Sequence, residues 1–498
     1  MLTIKRIAVP TSTVCVGPVL AFLIGTIGCG GSGAVASSPD PVSLRIGFGL
    51  LAGSSAETGI RQTTQNIASE MLVSFPQDGH PQPSLAESWS VSQDGLAWKI
   101  HLRPSVRFHD GTPADAEAIR QILEDPMGGL PATLGPAFDD VIAIRASGRD
   151  IEITLRHRCT FLLEALNLIA IQKPGAGAAG TGPFRVSSLT GNDAEMVANT
   201  DYYGGKPPVD RIVIKPYTSV RAAWADLLRG QVDMLYDVGV DAQDSLQSSN
   251  EVKVYPFQRG YAYLVLLNLR KPHLKDPAFR RELNAAINRD AFIMEALNGH
   301  GAPALGAAWP HHWAYSAGVP QFGYRPRPVS SASSQRRLRV LVGEPSHERL
   351  ALVLQRQLQA IGIDAVLELA SEKEIRARVQ ADDFDAVIAD FPQGPTLVRP
   401  YLFWHTGGPF NYGHYSNPTV DAALDSIRHA VDDAAYKNGV AAFQRAIVDD
   451  PPAIFLSWRE RARAVSTRFA VRSDPGSDVL TAIHLWRPVA ADSTSGRN

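Results

Sequence analysis

Several arrangements in this 498-residue chain have the residue types for chemistry. Gly175, Gly177 and Gly180 stand at the spacing of a dinucleotide-binding turn, after the strand-like residues 168–171 and with Asp201 downstream. Such a turn must open into a helix whose first amides face the phosphates, whereas here Pro183 and the strand-forming Phe184-Arg185-Val186 follow. That argues against a resident cofactor. His347-Glu348 begins like a zinc-protease motif, but Ala351 stands where the second histidine belongs. His311, His312, His405 and His414 could bind a metal or a metal chelate, yet no cysteine or carboxylate accompanies them at helical spacing. Asp382-Asp383 and Asp432-Asp433 read as turn and helix-start residues rather than an acid–base couple. The chain has no Gly-x-Ser-x-Gly elbow, phosphate-cradling Gly-Lys-Ser/Thr loop or Cys-x-x-Cys pair. The expectation is a protein that is not an enzyme, with no dedicated metal site.

The composition places the chain among ordinary globular proteins, since 45% of residues are apolar and 20% charged. A net charge of -2 gives no electrostatic footprint for nucleic acid, so none is expected as a partner. Of the cysteines, Cys15 and Cys29 lie in the N-terminal apolar segment, which leaves Cys159 alone in the body of the chain without a disulfide partner. It reads as a half-buried thiol packing as a small hydrophobe.

The elements that must position any site alternate between strand and helix. Strand-like runs at 44–48, 151–155, 211–214, 264–267, 338–342 and 386–389 intersperse with helical windows at 114–124, 220–229, 277–286, 348–361 and 418–430. In 349–361, Leu350, Val353, Leu354, Leu358 and Ile361 recur at helical spacing, Gly362 stops the helix and a strand follows over 363–369. The helix at 221–229 likewise hands over at Gly230 to a strand over 231–236. Stretches 173–180 and 324–337, rich in glycine or in proline and serine, read as surface connections. The pattern is that of an α/β chain.

At the N-terminus, Lys5 and Arg6 precede an apolar run over 14–27, which fits an export signal better than a membrane span. The sequence Thr26-Ile27-Gly28-Cys29, followed by a glycine, serine and proline-rich stretch, resembles a bacterial lipoprotein processing site. Thr26 departs from the leucine usual there. The expectation is a signal peptide over 1–28, lipidation at Cys29, and a tether over 29–42.

The informative stretch runs from Leu85 through Trp89, Asp94-Gly95 and Trp98 to Phe108-His109-Asp110-Gly111-Thr112-Pro113. Physically it is a hairpin turning at Asp94-Gly95, then a second turn before a helix. It closely resembles the signature of the bacterial extracellular solute-binding family 5, the peptide- and nickel-binding components of ABC importers. The likeness continues in order through Gly180-Thr181-Gly182-Pro183-Phe184, the segment from Tyr202 to Asp210, Gly230-Gln231-Val232-Asp233, Tyr263 to Asn268, Asp276-Pro277, Gly362-Ile363 and Tyr415-Ser416-Asn417-Pro418.

The resemblance implies a two-lobed periplasmic-binding-protein-like fold of type II, cluster C, with an extra domain on one lobe. One lobe is expected from 43–75, 180–262 and 460–492, the other from 263–459, and a trimmed accessory domain from 76–179. It implies a monomer that closes over a small ligand, most readily a peptide, and delivers it to a permease, remaining outside the cytoplasmic membrane. In peptide binders of the family a carboxylate pairs with the ligand's amino terminus. Asp390 stands at that position, although Val387 replaces the family's tryptophan and Gln393 a common acidic residue. Tyr261, Trp309, Trp404 and Asn268 are further ligand-binding candidates. Two other readings stay open: an envelope regulator or scaffold descended from the same family, and a nickel-chelate binder using the four histidines.

Overall fold

Helices begin where short polar side chains satisfy the first free amides. Asn417 accepts from the amides of Thr419 and Val420, Pro418 supplies a preset first turn, and Val420, Ala423, Leu424 and Ile427 form the buried stripe of helix Pro418–Arg428. Asp276 and Pro277 start Pro277–Ala285 in the same way, and a Ser371/Glu374 capping box opens Glu372–Gln380. The hairpin at Asp94-Gly95 forms as its sequence predicts. Gly95 takes φ +74°, Asp94 accepts from the Leu96 amide, and the flanking strands are Ala86–Val91 and Ala97–Leu102.

The computed structural model describes residues 40–49, 56–173, 179–190, 193–328, 337–343 and 345–489. The export signal, the Cys29 site, most of the tether, and Gly175 and Gly177 lie outside these residues. Among the described residues no helix is long and apolar enough to cross a membrane.

One eleven-stranded mixed sheet organises the chain. On one side Asp364–Leu369, Arg337–Val342 and Ala386–Pro392 lie in that order, and on the other Met234–Leu235, Ser43–Gly49, Arg211–Tyr217, Asp193–Ala198 and Phe184–Thr190. Between the two sets run the long antiparallel strands Val252–Leu267 and Ala453–Ser466, with Gly301–Pro303 paired to the latter. A separate four-stranded sheet contains Ala86–Val91, Ala97–Leu102, Asp150–Leu155 and Val141–Ser147.

The core follows this layout. One cluster buries Leu44, Ile46, Ile212, Ile214 and Met234 on the side of Ser43–Gly49, and another buries Val340, Leu354, Ile363 and Ile388 on the other side. A third cluster joins Ile153 of the four-stranded sheet and Phe161 of the helix Phe161–Leu166 to Tyr401, Trp404 and Phe443 in the 398–449 helices. Polar contacts reinforce that seam. Buried Glu164 accepts from the Val398 amide and from the Tyr436 hydroxyl, and Asp140 pairs with Arg428.

Three features differ from the sequence-based expectation. The strand expected at 264–267 is the end of a sixteen-residue strand, and its partner Ala453–Ser466 carried no recognisable apolar alternation. The reason is chemical, because alternate positions there are arginines, and Arg463 is fully buried. The strand expected over 231–236 shrinks to Met234–Leu235. Gly180 is followed by the strand Phe184–Thr190 and not by a helix. Cys159, expected to be half-buried, is 1% exposed because it packs into the core, and burial pushes its thiol up to about 11, an inert packing residue.

Candidate functional site

The two long strands pair residue for residue until Gln258 opposite Glu460, then slip, resuming with Ala262 opposite Trp458. At this break the end of Ala386–Pro392 arrives, with Pro392 opposite Tyr261 and Asp390 opposite Tyr263. The amides of Gln393 and Gly394 both donate to the Gly260 carbonyl, at 2.7 and 2.8 Å. The approach is so close that a side chain on Gly260 would overlap the Gly394 backbone and one on Gly394 would overlap Trp309, so both positions suit glycine. Trp309 packs over Gly394, and its indole N–H donates to the Gln77 carbonyl at 2.8 Å. The two halves of the sheet therefore meet at a joint made of two continuous strands and a local break in their ladder.

One face of that joint is charged. Arg459, Arg461 and Arg463 occupy alternate positions on Ala453–Ser466, so all three project from the same side. Each meets an aspartate from a different segment. Arg459 pairs with Asp390, Arg461 with Asp237 at 3.3 Å, and Arg463 with both oxygens of Asp478 at 3.0 and 2.6 Å. Arg463 is also held between rings, 4.0 Å from the Tyr236 centroid and 4.9 Å from that of Phe257. Arg459 lies 5.6 Å from the Tyr263 centroid, and the His347 ring meets Tyr263 edge-on.

These groups set one another's protonation. Burial alone would raise the Asp390 carboxyl, but the positive fields of Arg459, His347 and Arg461 hold it below its usual range. Burial and the neighbouring guanidinium groups of Arg459, Arg259 and Arg463 lower Arg461, against the attraction of Asp237. Arg259 stacks 5.8 Å from the Tyr261 ring. Arg399 is lowered by burial and is only partly supported by Tyr261. Among the described residues, two buried donors, Arg461 Nε and Arg463 Nη1, have no hydrogen-bond partner.

The structure thus brings Asp390, Tyr261 and Trp309 to the joint. The Asp390 carboxylate, however, already has Arg459 as its counter-ion. Trp404 is 1% exposed and donates its indole N–H to the fully buried Gln393, which links it to the joint from beneath the surface. Asn268 lies elsewhere. It is five residues beyond Tyr263, about 16 Å along an extended strand, and its side chain is spent on the Phe384 carbonyl and the Arg270 amide. The four histidines have separate partners: His311 meets Gln258, His312 accepts from the Ala314 amide, His405 lies near Asp421 and Asp425, and His414 pairs with Asp382. Sequence reasoning did not single out Arg259, Arg399, Arg459, Arg461 or Arg463, although Trp-Arg-Glu-Arg-Ala-Arg, with arginine at every second position, carried the signal.

Comparison with known proteins decides the family. The model of bacterial extracellular solute-binding proteins, family 5, matches residues 80–412. The chain belongs to this family. The probable D,D-dipeptide-binding periplasmic protein DdpA of Escherichia coli K12 is 26% identical over 429 residues, covering 78% of this chain and 82% of that protein. Among solved structures, the oligopeptide-binding protein AppA of Bacillus subtilis, in complex with a nonapeptide, superposes with a TM-score of 0.74 at 21% identity, covering 90% of this chain and 99% of AppA. The ABC transporter-associated periplasmic binding protein DppA of Helicobacter pylori, in complex with the peptide STSA, gives the same TM-score at 18% identity, with 90% and 98% covered. The fold is accordingly the two-lobed α/β fold of type II periplasmic binding proteins. Homologues in the family serve as solute-binding proteins of ABC importers.

Proposed function

We propose that this protein is the extracytoplasmic solute-binding component of an ABC importer, tethered through a lipid on Cys29. It captures a small ligand of peptide type at the joint between the two halves of the sheet. In this reading one lobe comprises 43–75, 180–262 and 460–492, the other comprises 263–459, and 76–179 is an accessory domain seated against the second lobe. The carrying observation is the joint itself. Two continuous strands connect the halves, their ladder slips between Gln258 and Ala262, and polar and aromatic side chains crowd one face beside the slip. A hinge that closes on a ligand needs this combination of continuity and a locally weakened ladder. The dipeptide named for DdpA and the peptides bound to AppA and DppA supply the ligand class.

The test is a thermal-shift screen of the purified protein, stripped of carried ligand by reversible unfolding, against pooled di- to hexapeptides, amino acids and nickel chelates. A ligand that binds the folded state raises its stability by about 2.7 kcal/mol at a hundredfold excess over Kd. A shift from a peptide pool supports the reading, and a shift from nickel chelates alone replaces the ligand class. No shift from any pool, with the protein folded, favours the regulator or scaffold. Separately, Cys29→Ser should release the protein from the membrane fraction.

A further inference from the structure

We infer that the joint selects a ligand bearing oxyanion groups, carboxylate or phosphate, held by Arg259, Arg399 and Arg461. This rests on the solute-binding reading above and names the chemistry its ligand must have.

Charge at the joint is the first argument. Four arginines, Arg259, Arg459, Arg461 and Arg463, converge on it, and Arg399 interacts electrostatically with Tyr261 beside them, while the aspartates that meet them are Asp237, Asp390 and Asp478. Arg459 cancels Asp390 and Arg463 is locked in a two-pronged pair with Asp478. Among the described residues, no hydrogen bond or ion pair reaches the guanidinium of Arg259 or of Arg399, although Arg259 adds to the positive field on Asp478. Arg259 stacks over the Tyr261 ring, and Arg399 interacts electrostatically with the same residue. Arg461 stands between these states, because its pairing with Asp237 leaves Nε buried and without an acceptor.

The energetic argument points the same way. Removing a guanidinium from water without a counter-ion is costly, and clustering it with like charges costs more. Burial and then three neighbouring arginines depress Arg461, and burial depresses Arg399. With more arginines than aspartates in place, the joint carries an excess of positive charge. A chain gains nothing in stability from such a cluster. A ligand does, since planar guanidinium forks match carboxylate and phosphate oxygens in charge and geometry. The field also speeds encounter with anions and repels cations. Conversely, a ligand ammonium group would have to displace Arg459 from Asp390 and enter a field that opposes it.

The experiment measures binding of five probes, trialanine, trilysine, triglutamate, citrate and inorganic phosphate, to the stripped full chain by thermal shift and calorimetry. Wild type is compared with Arg259→Gln and Arg399→Gln. Because neither side chain donates to a protein acceptor, both variants should fold with a ligand-free Tm equal to or above that of wild type. The expected result is stabilisation by triglutamate, citrate or phosphate, weakened at least tenfold in each variant and by added salt. Triglutamate and citrate against phosphate distinguish a carboxylate from a phosphate ligand. Stabilisation by trialanine or trilysine without an acidic response would overturn the inference and leave the solute-binding reading intact. So would an acidic response unchanged in both variants. If none of the probes and none of the pooled solutes shifts the folded protein, the solute-binding reading itself falls, and this inference with it.

Discussion

At the scale of single residues, the Asp390–Arg459 pair shows how position and environment divide the work. The sequence singles out Asp390 as a candidate carboxylate, and the fold supplies it with an internal counter-ion. Both side chains are mostly buried, at 23% and 17% exposed, so breaking the pair from one side leaves a charge without a partner. Arg459→Ala should therefore destabilise the protein by about 3 kcal/mol, the usual cost of orphaning one member of a buried pair. Asp390→Leu combined with Arg459→Met should recover most of that loss. Chemical denaturation of both variants and of each single change gives the coupling energy; additive effects would show that the two charges do not stabilise one another. Asp390 was legible because its neighbours resemble a known motif. Arg459 was not, because nothing local in Trp458-Arg459-Glu460 says which carboxylate it will meet 69 residues away.

At the scale of elements, the seam between helices Phe161–Leu166 and Asp433–Asp449 contains a titrating group. Burial raises the Glu164 carboxyl to about 7, despite the hydrogen bonds it accepts from Val398 and Tyr436. The folded state thus holds this proton more tightly than the unfolded chain does. Its contribution to stability is complete below the ordinary carboxyl value of 4.5 and is lost as pH rises to about 7. The loss amounts to about 3 kcal/mol. In Glu164→Gln the amide can accept from Val398 and donate to Tyr436, so the variant should gain on wild type across that interval; parallel pH–stability curves would contradict this. Helix boundaries were largely readable, because caps such as Asn417 and Asp276 act within a few residues of the chain they start. The strand Ala453–Ser466 was unreadable for the opposite reason. Its alternating arginines look solvent-facing by composition and become interior only through Asp390, Asp237 and Asp478, contributed by other segments.

For the whole molecule, the joint carries the functional consequence. If the two long strands are the hinge, an anionic ligand should draw the halves together, and small-angle scattering should show a smaller radius of gyration on adding the probe that stabilises the protein. An unchanged scattering curve under saturating ligand would rule out closure as the response. The order of motifs from Leu85 to Asn417, the alternation of strand and helix and the punctuation at Gly95 and Gly362 were set by the sequence, since turn chemistry and hydrophobic period are local properties. Tertiary structure alone decided that Asn268 sits away from the joint, that Trp404 supports it from the interior, and that Arg259 and Arg399, both near Tyr261, have no ion-pair partner among the described residues. Charge balance at a site is a sum over side chains from distant segments, and only the folded chain performs that sum.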